Sequence, residues 1–366
     1  MPASLNATPS SERIHIGLFG CRNAGKSSLI NAITGQDLAI VSDFKGTTTD
    51  PVSKAMEILP LGPVLLTDTP GMDDDSDLGQ SRIEKARLVL RSTDIALLVV
   101  DAASGLNAFD RKLLQEIQAR KIPYLVVFNK CDLVPAFTLP EELKDHSMLV
   151  SASAGTRIWE LKERISQALG KEEKKKPLLL DLLEPHALVV LVVPCDESAP
   201  KGRLILPQQQ AIRELLDGHC RAVVVQPQEL PGVIDLLGKK ISLVVTDSQA
   251  FHIVDQMVPP EIRLTSFSIL FARYKGQLSS FIDGALQLKK LKDGDPVLIS
   301  EGCTHHRQCN DIGTVKLPNW IRNYSGAEPE FHYSSGKGFP DDLSPFKLVV
   351  HCGACMLNAQ EVAYRQ

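Results

Sequence analysis

One octapeptide constrains this chain more than anything else in it. Gly20-Cys21-Arg22-Asn23-Ala24-Gly25-Lys26-Ser27 fits G-x-x-x-x-G-K-S/T and falls between an apolar run, Ile14–Gly20, and a stretch of helical spacing, Ser27–Thr34. A phosphate cradle needs that context: a strand, a tight loop whose N–H groups converge, then a helix N-terminus. Glycines let the backbone wrap the phosphates, Lys26 reaches the β and γ oxygens, and Ser27 ligates Mg²⁺. Gly20, Asn23, Ala24, Gly25, Lys26, Ser27 and Ser28 are thus candidate nucleotide contacts.

The surrounding pattern agrees. Apolar runs at Val64–Asp68, Ile95–Asp101, Tyr124–Asn129 and Met148–Ser151 alternate with helical spacing at Arg82–Arg91, Arg111–Arg120 and Ile158–Leu169. Such alternation implies a mainly parallel sheet with helices on both faces, an α/β fold. Asp68-Thr69-Pro70-Gly71 ends one strand as the D-x-x-G that holds a magnesium-bound water and offers the Gly71 N–H to the γ-phosphate. Asn129-Lys130-Cys131-Asp132 ends another. A carboxylate at Asp132 accepts from the N1–H and amine of guanine, a donor pair adenine lacks. Ser151-Ala152 then supplies an N–H for the guanine oxygen. Four elements in order imply a GTP-binding domain of the Ras-like type.

Two details refine the expected hydrolysis. Met72 follows Gly71, where many regulatory GTPases carry a water-orienting glutamine, so another group must stabilise charge at the phosphates. Asp73, Asp74, Asp75 and Asp77 follow as an acidic run that reads as a solvated loop.

Past residue 170 the chain changes character. Residues 171–177, rich in Lys and Glu and ending in Pro177, read as a linker. Residues 178–258 alternate again, with strands at Ala187–Val193, Ala222–Val225 and Leu243–Thr246, and helices at Gln208–Leu216 and Pro231–Leu237. Ser248–Met257 is a candidate third helix. At about 80 residues this block is small for a self-sufficient domain and should pack against something. Pro259-Pro260 opens a third block, 259–366. It holds a helix at Gln277–Leu291, strands at Val297–Ser300 and Leu348–Val350, and a Gly/Pro/Ser-rich loop over 325–345.

That third block concentrates soft ligands. Four of eight cysteines and four of nine histidines lie between residues 303 and 355. Cys303-Thr304-His305 and His351-Cys352-Gly353-Ala354-Cys355 each follow a strand, so two half-sites can meet where the strands end. C-x-H and H-C-x-x-C spacing suits tetrahedral zinc, and three cysteines equally suit an iron–sulfur cluster. Nothing in the spacing selects His306 or Cys309, and His332 reads as an exposed loop residue.

The charge balance narrows the partners. Net charge is −4 and only 5% of residues are aromatic, which argues against nucleic acid as a main ligand. The longest apolar run, Ala187–Val193, is far too short to span a bilayer. Residues 1–12 are polar and Ser-rich, a loose tail and not a signal peptide. A cytoplasmic location is the expectation.

Taken together, the chain resembles the [FeFe]-hydrogenase maturation GTPase family over residues 13–366. The resemblance rests on Asn23, on Gly46-Thr47-Thr48-Thr49-Asp50, on the stretch Asp196–Gln210, and on the cysteine–histidine pair of motifs. It implies a Ras-like P-loop GTPase domain (13–170) followed by two smaller α/β domains, one for dimerisation (178–258) and one for an iron–sulfur cluster (259–366). Asn23 and Gly46–Asp50 also resemble the tRNA-modification and ribosome-assembly branch of GTPases, which implies that Asn23 helps to hold K⁺ beside the phosphates and that Thr48, with Thr47 as the alternative, ligates Mg²⁺ in the GTP state. The maturation family implies that Cys303, Cys352 and Cys355 hold a [4Fe–4S] cluster. His305 and His351 match motif histidines. The implied role is a scaffold that delivers a two-iron precursor to immature [FeFe]-hydrogenase, working with radical-SAM hydrogenase maturases as a homodimer. Family members continue through a further C-terminal segment, whereas here eleven residues follow Cys355. The alternative is a tRNA-modification or ribosome-assembly GTPase with a structural zinc domain.

Overall fold

The computed structural model describes residues 8–35, 51–59, 61–71, 77–170, 176–195, 204–302, 312–336, 338–352, 354 and 356–366. The chain divides into two compact units, Met1–Glu173 and Lys174–Gln366.

The first unit runs β1 (Ile14–Phe19), α1 (Lys26–Thr34), β2 (Val52–Ile58), β3 (Gly62–Asp68), α2 (Asp77–Arg91), β4 (Ile95–Asp101), α3 (Ala108–Ala119), β5 (Tyr124–Asn129), β6 (Ser147–Leu149) and α4 (Ile158–Ala168). The sheet order is β2-β3-β1-β4-β5-β6, and among the described residues only β2 runs antiparallel to its neighbour. Period-two geometry sends alternate residues of the central strand to opposite faces. Leu97 and Val99 of β4 join Leu18, Leu29, Ile33 and Leu161 on one face; Leu98 and Val100 join Phe19, Leu113, Ile117 and Phe128 on the other. Burying each such side chain contributes about 1.5–3 kcal/mol. α3 starts on a capping box, with Asn107 Oδ1 accepting from the Asp110 N–H at 2.8 Å and Asp110 Oδ2 from the Asn107 N–H at 3.3 Å.

Among the described residues the second unit carries two sheets. The first, ordered β10-β9-β7-β8 and wholly parallel, comprises β7 (Leu188–Val192), β8 (Arg221–Val225), β9 (Ile241–Thr246) and β10 (Leu264–Ser266). Its helices are α5 (Leu206–Asp217), α6 (Leu230–Leu237), α7 (Phe251–Asp255) and α8 (Phe267–Lys275). The sequence expectation ended this block at residue 258. The structure carries it past the prolines: β10 pairs with β9, and Phe267, Leu270 and Phe271 of α8 complete a core with Leu191, Leu215 and Val245.

The last sheet, β12-β11-β13, is also parallel. It comprises α9 (Leu278–Leu286), β11 (Pro296–Glu301), α10 (Leu317–Ser325), β12 (Glu330–Ser335), β13 (Leu348–His351) and α11 (Ala359–Arg365). Here β12 replaces part of the loop expected over 325–345, and His332 lies on it, half-buried against the Phe346 ring. The helix expected to run to Leu291 ends at Leu286 and tightens into a 3₁₀ turn. The expected tail over 1–12 is partly structured: Ser10–Glu12 form a 3₁₀ turn with Ser11 buried, while residues 1–7 lie outside the described residues. Among the described residues, no helix is long and apolar enough to cross a membrane.

Candidate functional site

The phosphate loop leaves β1 and enters α1. Gly25, with φ +90°, is where the turn closes on β5: a Cβ there would stand 2.2 Å from Asn129 Nδ2. Lys26 is buried, and its ammonium donates to the carbonyls of Gly20 at 2.9 Å and Cys21 at 2.8 Å. It therefore spans the loop that phosphate oxygens would enter. Asn23 is exposed with φ +60°, Ala24 is buried, and Ser28 is half-buried on α1. Asn107 Nδ2 donates to Cys21 Sγ at 3.1 Å, so the start of α3 braces the loop from outside.

At the end of β3, Ser27 Oγ donates to Asp68 Oδ2 at 2.5 Å. Burial pushes the Asp68 carboxyl above the ordinary aspartate range, against the opposing pull of the Ser27 hydrogen bond and the Lys26 charge. Asp68 Oδ1 is buried and has no hydrogen-bond partner. A hydroxyl beside a carboxylate that keeps one orphaned oxygen fits a hydrated Mg²⁺, with Ser27 as ligand and Asp68 reaching a bound water. Gly71 lies against the loop so closely that a Cβ would meet Arg22 Cγ at 2.1 Å. Thr48, Met72 and Asp73–Asp75 lie outside the described residues.

The base-reading groups gather at the ends of β5 and β6. Asn129 is buried; its Nδ2 donates to the Ala24 carbonyl and its Oδ1 accepts from the Ala152 N–H, both at 3.0 Å. Lys130 adopts φ +64° and donates to Asp101 Oδ2 at 2.7 Å. Burial raises the Asp101 pKa, but hydrogen bonds from Lys130 and the Ala103 N–H outweigh it and hold the carboxyl below the usual range. Asp132 is exposed in the turn Cys131–Leu133, with its carboxylate open to a donor pair. Ser151 is fully buried and its Oγ accepts from the Ala154 N–H at 3.1 Å, shaping the loop that presents Ala152. Asp101 is the residue that sequence reasoning passed over. Its signal was its place at the end of β4, in register with Asn129.

The described part of the second cysteine motif, His351 and Cys352, lies at the end of the last sheet. Ser300 of β11 is in register with His351 of β13, and the Cys352 N–H donates to the Ser300 carbonyl at 3.0 Å. The Gly302 N–H in turn donates to Cys352 Sγ at 3.1 Å, the kind of backbone donor that stabilises a thiolate. Cys303 follows directly in sequence; it lies outside the described residues, as do His305 and Cys355. Among the described residues no three metal-ligating side chains converge. Lys275, buried on α8, donates to the Leu357 carbonyl at 2.7 Å and holds the loop after Cys352. Glu301, a buried carboxylate two residues before Cys303, is a further group that sequence reasoning missed.

Residues 178–276 match the family model described as Hydrogen maturase F dimerization domain, and residues 279–366 match the Hydrogen maturase F tetramerization domain. Residues 15–130 match the 50S ribosome-binding GTPase family. A tRNA modification GTPase MnmE of Synechococcus sp. is 34% identical over 177 residues, covering 48% of this chain and 38% of that protein. Its counterpart in Legionella pneumophila is 36% identical over 244 residues, covering 63% and 51%. The chain thus spans only part of the length of these relatives. A crystal structure of an Aquifex aeolicus Era variant bound to GDP.AlF4- aligns at 23% identity and TM-score 0.40, over 61% of this chain and 98% of that one. With a GTPase domain followed by both oligomerisation domains of one maturase, the chain belongs to the hydrogen maturase F family.

Proposed function

We propose that this GTPase is stimulated by K⁺ and carries a [4Fe–4S] cluster from which a two-iron precursor passes to immature [FeFe]-hydrogenase. The observation that carries the reading is the parallel pairing of β11 with β13, which brings the Cys352 sulfur to the Gly302 N–H, one residue from Cys303. Cys303, Cys352 and Cys355 are the cluster ligands on this reading. Three thiolates would leave one iron without a cysteine, and such a cluster supplies an exchangeable position where a metal fragment docks. A closed four-cysteine site would be poor at delivery. The radical-SAM hydrogenase maturases are the proposed source of the precursor, and the cytoplasm the proposed location.

In the GTPase domain Lys26 and the Gly71 N–H meet the phosphates, and Ser27 and Thr48 ligate Mg²⁺. Asp132, Asn129 and the Ala152 N–H select guanine. Met72 cannot orient water; on this reading Asn23 would help to hold K⁺, which would supply positive charge at the β- and γ-phosphates.

For the assembly, β8 is an edge of its sheet and Val224 is exposed on it, so a second copy can pair there through main-chain hydrogen bonds. α9 has no buried residue and exposes Ile282 and Leu286, a candidate for the further contact.

The test is anaerobic reconstitution with iron and sulfide, with metal analysis and electron paramagnetic resonance of the reduced protein, beside GTP turnover in KCl and NaCl. A cluster signal shifted by added cyanide, lost in Cys303→Ser, Cys352→Ser or Cys355→Ser, is the expected result. A colourless protein with one tightly bound zinc would favour a GTPase of RNA metabolism instead. Equal rates in the two salts would remove K⁺ from the scheme.

A further inference from the structure

Arg365 lies beneath the carboxyl ends of all three strands of the last sheet, and its side chain is only 3% exposed. Its Nε donates to Glu361 Oε1 at 2.8 Å, one turn back on α11. Nη2 donates to the Gly336 carbonyl, just past β12, at 2.5 Å. Nη1 faces Ser300 Oγ on β11 at 3.3 Å and His351 Nε2 on β13 at 3.2 Å. The guanidinium also stacks 5.0 Å from the Phe339 ring centroid. Asn358 fixes the start of α11, accepting from the Glu361 N–H at 3.1 Å.

A guanidinium has five donors and no acceptor. His351 Nε2 therefore accepts from Arg365, and the ring hydrogen belongs on Nδ1, which donates to the Cys352 carbonyl at 2.6 Å. Both ring nitrogens are spent inside the fold. One of them grips the backbone of the residue that bears the sulfur. Second-layer partners of this kind fix the orientation of a ligand-bearing segment.

We propose that Arg365 is the positioning residue of the cysteine site: it fixes the tautomer of His351, through it the backbone of Cys352, and so keeps His351 out of the ligand set. Its bearing on ligation rests on the cluster reading given above. The tautomer does not, and can be read without metal.

The first measurement is long-range proton–nitrogen NMR of the histidine-labelled, metal-free full chain at about pH 8, where free imidazole is neutral. His351→Gln gives the assignment. The expected ring of His351 carries its hydrogen on Nδ1, and Arg365→Lys, which keeps the charge but loses the fork, weakens that preference. A ring with its hydrogen on Nε2 in the unsubstituted protein overturns the proposal, whether or not any Arg365 variant folds.

The second measurement is the nitrogen hyperfine spectrum of the reconstituted, reduced protein. His351→Gln should leave it unchanged. Arg365→Ala should gain an imidazole coupling that Arg365→Ala/His351→Gln lacks. A coupling in the unsubstituted protein that His351→Gln removes makes His351 a ligand and overturns the proposal. Uptake of zinc without iron and sulfide would refute the cluster reading, and the NMR result would then decide this one alone.

Discussion

Asn129 reaches across the nucleotide site to Ala24: the side-chain amide at the end of β5 donates to the phosphate-loop carbonyl at 3.0 Å. The same amide accepts from the Ala152 N–H. One buried side chain thus joins the loop for phosphate to both loops for guanine, before any nucleotide arrives. Asn129→Ala should leave both partners unsatisfied and cost about 1–3 kcal/mol of stability in the nucleotide-free protein. Urea denaturation without GDP is the measurement; unchanged stability would mean that the asparagine matters only to the bound base.

Asp68 should make Mg²⁺ binding depend on pH. Burial raises its pKa, so the folded, metal-free protein holds this proton at a pH where a free aspartate has lost it. The sign follows from linkage: protonation of Asp68 favours the folded state below the unfolded pKa of 3.8, and that advantage disappears as pH rises through the raised value. The Mg²⁺-bound water needs the ionised carboxylate as its acceptor, so the proton on Asp68 opposes Mg²⁺ binding. Its apparent affinity with GDP should therefore fall on acidification, starting above the ordinary aspartate range. Asp68→Asn should bind Mg²⁺ weakly and without that pH dependence. Titration calorimetry at several pH values settles it, and a flat profile in the unsubstituted protein would exclude this opposition.

The Asp101–Lys130 pair should govern the base more than the fold. At 26% and 30% side-chain exposure it contributes little to stability, yet it orients the lysine of the guanine motif. Asp101→Asn should weaken GDP binding several-fold with little change in melting temperature. Because the Asp101 carboxyl is held below its usual range, the pair should persist until the pH falls beneath that of ordinary aspartates. Equal GDP affinity in the variant would assign Asp101 to its local turn alone.

Legibility followed burial. The apolar runs at β1, β4 and β5 are buried on both faces, so composition alone marked them, and the nucleotide motifs sit at their ends. β2 escaped because Val52–Ile58 is an edge strand with Lys54 and Glu57 on it, and β12 because Glu330–Ser335 is half-exposed amid turn residues. α8 has an apolar run broken only by Ser268 before Ala272, which periodicity cannot separate from a strand. Arg365 and Lys275 were invisible for another reason. Their roles come from contacts 65 and 82 residues away in sequence, and no local pattern encodes those.

Glu214 clamps the entry to the second unit. Its carboxylate accepts from three successive N–H groups, Leu178 at 2.8 Å and Leu179 and Leu180 at 2.9 Å. Leu178 and Leu179 are buried beneath it. Glu214→Gln retains one carbonyl acceptor and should lose about 1.5–3 kcal/mol, the scale of hydrogen bonds to a charged group. Chemical denaturation reads the loss, and GDP affinity should be unmoved. A variant as stable as the parent would show that water replaces the clamp freely.

Lys275 gives the last prediction, because it ties the dimerisation domain to the cysteine loop. Its ammonium is buried, donates to the Leu357 carbonyl at 2.7 Å, and lies 4.9 Å from the Phe271 ring centroid. Lys275→Met conserves length and packing but removes every donor, leaving a carbonyl of the loop that follows Cys352 without this partner. The loop should loosen, at a cost of about 1–3 kcal/mol. On the cluster reading, reconstituted protein should then bleach faster in air, while GTP turnover stays at the parental rate. Lys289, exposed over the Tyr324 ring at 5.6 Å, serves as the control: Lys289→Met removes the same charge from the same unit and should bleach like the parent. If the two variants bleach alike, net charge rather than the buried contact sets the lability, and Lys275 has no positioning role.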